Sequence, residues 1–287
     1  MPEQPRTAPE TALSPASLLG IALEAAQAAA AIIRDATPRV GRIVWREKGA
    51  TDFVSEVDLG AEMKILEIVR RHIPHAAILA EETASTIEPE ALQSGVVFVI
   101  DPLDGTTNFL HGYPEYAVSI GVLSDGALAA GVVIDVPSSE IFTATAGGGA
   151  RLNGAPIHVS TIDSPQRALF GTGFPFARQE EIAPYVAQLA RVMAGAAGAR
   201  RAGAAALDLA SVACGRFDGF WEMKLSPWDI AAGMLLVREA GGIVTTFDGA
   251  ECPVARTSVV AGSAAMHPWL LRTVNGAETA PGRGSPI

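Results

Sequence analysis

Cysteine is nearly absent from this chain of 287 residues; there are two, Cys214 and Cys252. That number gives no disulfide framework, so an apolar core must hold the fold, and a reducing cytoplasm is the expected compartment. Basic residues are also scarce, 21 Lys and Arg against 31 Asp and Glu, for a net charge of −10. The balance argues against a large nucleic-acid footprint, which needs a basic face, though a local basic pocket stays open. The five histidines show no zinc-like spacing, and His72 and His75, which straddle Pro74, read as surface residues. The most apolar N-terminal segment, Leu18 to Ile33, carries Glu24 and Gln27 and lacks a basic leader and a small-residue cleavage site. It reads as an amphipathic, Ala-rich helix, neither a signal peptide nor a membrane span.

What is present is an ordinary globular composition, 49% hydrophobic and 18% charged. The length suits one large core or two intimately packed domains. Residues 1–13, rich in Pro, Thr and Glu, read as a disordered tail. Ser14-Pro15 predicts a helix N-terminus, with the helix stopping near Ala36, before Pro38. A second helix is expected from Asp58 to His72, with Met63, Ile65, Leu66, Ile68 and Val69 on its apolar face and Pro74 ending it. Strands are expected at Ala76–Ala80, closing on Glu81-Glu82, and at Val96–Ile100. From Tyr116 to Arg151 the pattern is one of hairpins, the clearest turning at Asp125-Gly126.

Beyond Ile157 an α/β rhythm follows. Strands are expected at 168–172, 219–223, 242–246 and 258–261, and helices at 179–194, 204–213, 227–240 and 264–274. The predicted organisation is a tail (1–13), an α+β region (14–155), an α/β region (156–275) and a loose tail (276–287).

The chemistry concentrates at element ends. Acidic residues stand at Asp52 and Asp58, at Glu81-Glu82, at Asp101 and Asp104, and at Asp229 in SPWDIAAG. Singly, each has an ordinary explanation as a helix cap, a dipole partner or a solvated charge. The pair in VFVIDPLDGTTNFLHGYP is harder to dismiss. Pro102 predicts a sharp turn after a buried strand, letting both carboxylates converge. Two like charges held close raise each other's pKa unless a cation offsets them, and oxygen ligands of this kind suit Mg²⁺. Gly105-Thr106-Thr107 supplies free N–H groups and hydroxyls suited to phosphate. Acid pair and N–H cradle together suggest metal-assisted phosphoryl chemistry.

IDPLDGTTNFLHGYP resembles the D-P-(I/L)-D-G-T motif of the inositol monophosphatase family. AEET resembles that family's G-E-E-S segment, with Ala80 at the glycine position. DFVSEVD resembles D-x-V-T-x-x-D, with Ser55 at the threonine position. SPWDIAAGMLLVREAGG resembles W-D-x-A-A-G followed by E-A-G-G. The four segments keep the family's order, and the likeness runs from about residue 15 to about 270. It implies a layered αβαβα sandwich, commonly a homodimer, that hydrolyses a small phosphate monoester with Mg²⁺ and a directly attacking water. Carried over by position, Glu81, Asp101 and the carbonyl of Leu103 would hold a first ion. Asp101, Asp104 and Asp229 would hold a second, and Glu81 a weaker third. Thr106, with Asp58 beside it, would orient and help deprotonate the water, with Glu81 among the catalytic groups. The N–H groups of Gly105 and Thr106 would hold the phosphate.

ARRAGAAALDLA resembles the family's R-x-x-G-(S/T)-A-A segment, placing Arg200, Gly203, Ala204 and Ala205 along the substrate pocket. FWEMKLSPWD resembles a family stretch whose Glu contacts substrate hydroxyls, which implies that role for Glu222, with Asp104 and Asp229 also facing the substrate. Inositol 1-phosphate is the leading expected substrate. Histidinol phosphate and fructose 1,6-bisphosphate are alternatives, and Arg200-Arg201 could instead face a second phosphate or support a subunit interface. The resemblance also implies inhibition by Li⁺. No direct nucleic-acid or membrane contact is expected. Bacterial relatives are partners in transcription-antitermination complexes, so a non-catalytic role is the competing reading.

Overall fold

In the computed structural model, residues 13–49, 52–176 and 179–277 are described. Most of the two expected tails, 1–12 and 278–287, lies outside them. Ser14 caps α1 (Pro15–Ala36), its side chain accepting the N–H of Ser17. The helix then tightens into a 3₁₀ turn, Thr37–Arg42. Strands β1 (Trp45–Gly49) and β2 (Asp52–Ser55) form a two-stranded ribbon. Helix α2 (Glu56–His72) opens with a capping box between Ser55 and Asp58. Its buried face is Asp58, Ala61, Glu62, Ile65, Ile68 and Val69, whereas Met63, expected there, is exposed. Met63 lies two residues from both Ala61 and Ile65, about 200° round the helix from each.

Strands β3 (Ala77–Ala80) and β4 (Val96–Asp104) follow, then the short helix α3 (Thr106–Leu110). The hairpin region gives β5 (Ala117–Ser124), β6 (Ala127–Asp135), β7 (Glu140–Thr145), β8 (Gly149–Leu152) and β9 (Ala155–Pro156). Asp125 and Gly126 both have positive φ, 49° and 82°, the mirror-type turn their sequence predicts. These strands make one seven-stranded sheet in the order β3-β4-β5-β6-β7-β8-β9, with β3 and β4 parallel and every other pair antiparallel.

The remaining elements are β10 (Leu169–Thr172), α4 (Gln179–Met193), β11 (Gly198–Arg200), α5 (Ala205–Ala213), β12 (Gly219–Leu225), α6 (Pro227–Glu239), β13 (Ile243–Thr245), β14 (Thr257–Gly262) and α7 (His267–Val274). Strand β11, only three residues long, has too little pattern to be legible in sequence. A second sheet runs β11-β10-β12-β14-β13.

Five layers result. Helices α1 and α2 cover one face of the large sheet, α5 and α6 fill the space between the sheets, and α4 and α7 cover the far side. The apolar N-terminal segment is therefore a core helix: Leu18, Ala22, Ala25, Ala26, Ala29, Ala30 and Ile33 are buried at helical spacing. One apolar cluster joins Val133 and Phe142 of the first sheet to α5, α6 and Phe220 of the second. A thin helix is needed there. A Cβ on Gly121 of β5 would lie 2.6 Å from Ala231 Cβ, and one on Gly233 would lie 2.6 Å from Leu209 Cβ. The Ala-Ala-Gly of SPWDIAAG is thus a close-packing device as well as the neighbour of an acid.

Candidate active site

The two acids at the end of β4 face the same way because the strand is irregular. Residues three apart on a regular strand point to opposite faces. Here the pairing steps from Asp101↔Ser119 to Asp104↔Ala117, three residues against two. The extra residue is a bulge, which tolerates Pro102 because Pro102 has no N–H to lose. Strand β4 continues through Pro102 to Asp104, so the sharp turn expected at the proline is instead this bulge. Asp101 Oδ1 then accepts the N–H of Leu103 at 3.0 Å. Gly105 caps α3 with φ of 88°, and a Cβ there would sit 2.8 Å from the Glu115 carbonyl. Conformation and space both demand glycine at this position.

Helix α2 brings a second group to the same place. Asp58 Oδ2 accepts the N–H and the hydroxyl of Ser55, and Oδ1 accepts the hydroxyl of Thr106 at 2.8 Å. The Leu103 carbonyl lies 3.0 Å from the same hydroxyl, but the carboxylate is the stronger acceptor. Burial pushes the Asp58 carboxyl up, and its hydrogen bonds from Ser55 and Thr106 oppose that rise.

The second half of the chain closes the site with two helix N-termini. Asp104 Oδ2 accepts the N–H of Ala206 in the first turn of α5 at 2.8 Å. Asp229 Oδ2 accepts the N–H of Ser226 at 2.7 Å in the α6 capping box. Between the halves lies a cavity of about 540 Å³, the size of a small-molecule site. Its lining includes Glu81, Asp101, Leu103, Asp104, Gly105, Thr106 and Asp229.

The charge distribution is lopsided. Asp101 and Asp104 are 2% and 9% exposed, so neither is well solvated. Burial first, then repulsion from Glu81, Asp104 and Asp229, holds the Asp101 carboxyl well above its ordinary range. Burial drives Asp104 up to about 7; the Ala206 N–H opposes this, while Glu222 and Glu81 add to it. Asp229 is raised by burial, then by Asp104 and Glu81. Glu222 is pushed up to about 8 by burial, with Asp229 adding and Arg201 opposing.

Clustered carboxylates of this kind call for cations. Among the described residues, no three acidic, His or Cys side chains close into a ready-made cage. The donors are all hard oxygens, and they ring an open cavity. That fits Mg²⁺, which is held by few protein oxygens and completes its shell with water and substrate phosphate.

The structure thus brings Asp58, Glu81, Asp101, Leu103, Asp104, Gly105, Thr106 and Asp229 together. The substrate side differs from expectation. Arg200 is exposed, its guanidinium reaching only the Ala199 carbonyl at 3.1 Å, and it does not line the cavity. Arg201 does, because β11 ends at Arg200 and the chain turns inward after it. Arg201 stacks on Phe174 and Phe176, 5.3 and 5.0 Å from the ring centroids. Gly203 lines the cavity, whereas Ala204 and Ala205 are buried behind it at the start of α5. Glu222 lies against Gly173, where a Cβ would meet the carboxylate at 2.0 Å. Asp52 belongs to β2.

Several lining residues had no sequence signal: Phe53, the Phe174-Pro175-Phe176 loop, Lys224 and Arg256. Lys224 stands in a bulge of β12 with φ of 56° and pairs with Glu181. Glu62 was also missed, although a carboxylate one turn after Asp58 on the apolar face of α2 is a readable anomaly. In the E-A-G-G segment, Glu239 is structural: its oxygens accept the N–H groups of Gly147 and Gly149 at 2.8 and 2.9 Å, pinning the β7–β8 turn.

Residues 14–279 match the model of the inositol monophosphatase family. The chain is 45% identical over 259 residues to the Nus factor SuhB of Pseudomonas aeruginosa, covering 90% of this chain and 95% of that one. Among solved structures, the extragenic suppressor protein suhB of Bartonella henselae superposes with a TM-score of 0.85 at 38% identity, over 91% of this chain and 99% of that one. The inositol monophosphatase of Anabaena superposes with a TM-score of 0.80 at 38% identity, over 92% and 97%.

Proposed function

This chain belongs to the inositol monophosphatase family, and on that premise we propose that it is a Mg²⁺-dependent phosphatase of a small polyol phosphate, foremost inositol 1-phosphate. The observation that carries the reading is the convergence of four carboxylates, Glu81, Asp101, Asp104 and Asp229, on a cavity also lined by Gly105 and by Thr106, which is bonded to the buried Asp58 behind it. Glu81, Asp101 and the Leu103 carbonyl would hold one ion, Asp101, Asp104 and Asp229 another, with Glu81 serving a third. Bound ions supply a lowered water pKa and offset charge on the phosphoryl oxygens.

The chain's own groups do the rest. The N–H groups of Gly105 and Thr106 orient the phosphate. Thr106 Oγ1, its proton committed to Asp58 Oδ1, keeps lone pairs to accept a proton from the attacking water. That geometry aims the water and biases its proton toward the Asp58 pair. Glu222, near Asp229 and Arg201, accepts from hydroxyls of the alcohol, and Gly203 and Arg201 line the cavity, Arg201 available to a hydroxyl or a second anionic group. Arg200 serves an interface instead, in a homodimer that the exposed apolar face of α4 (Ile182, Val186, Met193) also supports. The two free cysteines suit a cytoplasmic setting.

The test is phosphate release with Mg²⁺ and with chelator, across inositol 1-phosphate, histidinol phosphate and fructose 1,6-bisphosphate. The highest kcat/KM is expected for inositol 1-phosphate. Absence of Mg²⁺-dependent release from every ester would overturn the reading. A second reading rests on the name of the Pseudomonas relative, a Nus factor: a role as partner in a transcription complex. Asp104→Asn separates the two, since it would remove phosphate release and leave partner binding intact.

A further inference from the structure

Glu62 is a fully buried carboxylate, 0% exposed, on the apolar face of α2. Such a group is tolerated only when its oxygens are committed. Both are. Oε2 accepts the N–H of Glu82 at 2.9 Å, and Oε1 accepts the hydroxyl proton of Thr83. On the other side, the N–H of Glu81 is bonded to the Ile100 carbonyl of β4 at 3.1 Å. Residue 81 is therefore tied to β4 through its own amide and to α2 through the two residues after it.

Asp58 lies four residues earlier on the same helical face. One face of α2 thus fixes two loops of the site, Asp58 the loop carrying Thr106 and Glu62 the turn carrying Glu81. We propose that Glu62 is a positioning residue that sets the Glu81 carboxylate opposite Asp101 and thereby determines metal affinity. The physical need is plain. Glu81 and Asp101 repel each other, and with the Glu81 amide still held on Ile100, loss of the Glu62 bonds to residues 82 and 83 lets the Glu81 side chain swing away from Asp101. A fixed turn confers on the unliganded protein the spacing that an ion requires. Groups that orient metal-holding side chains change affinity by roughly 10–100-fold when removed. This inference rests on the phosphatase reading above.

The test compares Glu62→Leu, Glu62→Gln and Thr83→Val with the wild type. Mg²⁺ affinity is read by calorimetry and by the Mg²⁺-induced shift in Tm, alongside kcat and KM. Glu62→Leu is expected to weaken Mg²⁺ binding roughly tenfold or more, while KM for the ester at saturating Mg²⁺ stays unchanged. Glu62→Gln should stay within about threefold, because the amide can accept from Glu82 N–H and donate to Thr83 Oγ1. Thr83→Val, which loses one of the two bonds, should fall between. A Glu62→Leu protein with lower Tm but wild-type Mg²⁺ affinity overturns the proposal. Should Glu62→Leu not fold, wild-type affinity in Thr83→Val overturns it instead. A wild type that neither binds Mg²⁺ nor releases phosphate would be a failure of the phosphatase reading itself, recognisable before any variant is compared.

Discussion

Asp104, on the first sheet, accepts the N–H of Ala206, on the first turn of a helix 102 residues further on. The bond joins a buried acid of the cavity to the segment that carries Gly203 and Arg201. It also gives Asp104 two separable roles, a helix cap and a charge. Asp104→Asn keeps an oxygen for the cap and loses the charge. It should abolish phosphate release while the chelated protein's Tm stays equal to or above the wild type's, since repulsion with Glu81 and Glu222 is relieved. Asp104→Ala should lose about 1 kcal/mol more through the missing cap. Thermal melts in chelator and a phosphate assay check both.

Thr106→Val keeps the shape of the side chain and removes its hydroxyl. The Asp58–Thr106 bond disappears and the water loses its acceptor. A fall in kcat of roughly 10²–10⁴-fold is expected, with KM nearly unchanged. Thr106→Ser should retain most activity. Steady-state kinetics on the preferred ester decide it; equal losses in Ser and Val variants would sink the assigned role.

The two adjacent arginines should behave differently. Arg201 lines the cavity between two aromatic rings and Arg200 does not. Arg201→Leu is expected to raise KM about tenfold or more, corresponding to loss of one charged hydrogen bond. Arg200→Leu should leave KM within about twofold and instead weaken self-association, read by sedimentation.

Gly121→Ala places a methyl group 2.6 Å from Ala231 Cβ, between two backbones that cannot part. Overpacking of this kind costs about 1–3 kcal/mol. Because Ala231 is two residues from Asp229, activity should also fall in the protein that remains folded. Urea denaturation and the phosphate assay on the same sample measure the two effects.

His267 is buried, its Nε2 2.9 Å from Thr245 Oγ1, and burial holds its pKa below the ordinary 6.5. The unfolded chain therefore binds this proton more readily than the folded one. Its contribution is complete above pH 6.5 and is lost as the pH falls below that value. His267→Gln should show a smaller drop in Tm between pH 7.5 and 5.5 than the wild type, measured in parallel melts.

Much of the fold could be read directly. Ser14-Pro15 marks a helix start through local hydrogen bonding, and Asp125-Gly126 marks a turn because both residues accept positive φ, whereas α2, expected from Asp58, begins at Glu56 behind the Ser55 cap. These signals are local hydrogen-bond and backbone preferences, which is why they are readable without knowing the distant contacts. The convergence of Asp101 and Asp104 was legible for another reason: they stand three residues apart around Pro102 in one short motif. By contrast, the sequence places Arg200 and Arg201 side by side and cannot say which one faces inward. That depends on where β11 stops, which is set by its pairing with β10. Residue type, order and local conformation were settled by the chain alone. Which groups meet at the site, Asp104 with the Ala206 N–H and Arg201 near Glu222, was decided by the tertiary structure, because these contacts exist only after α5 is buried between two sheets.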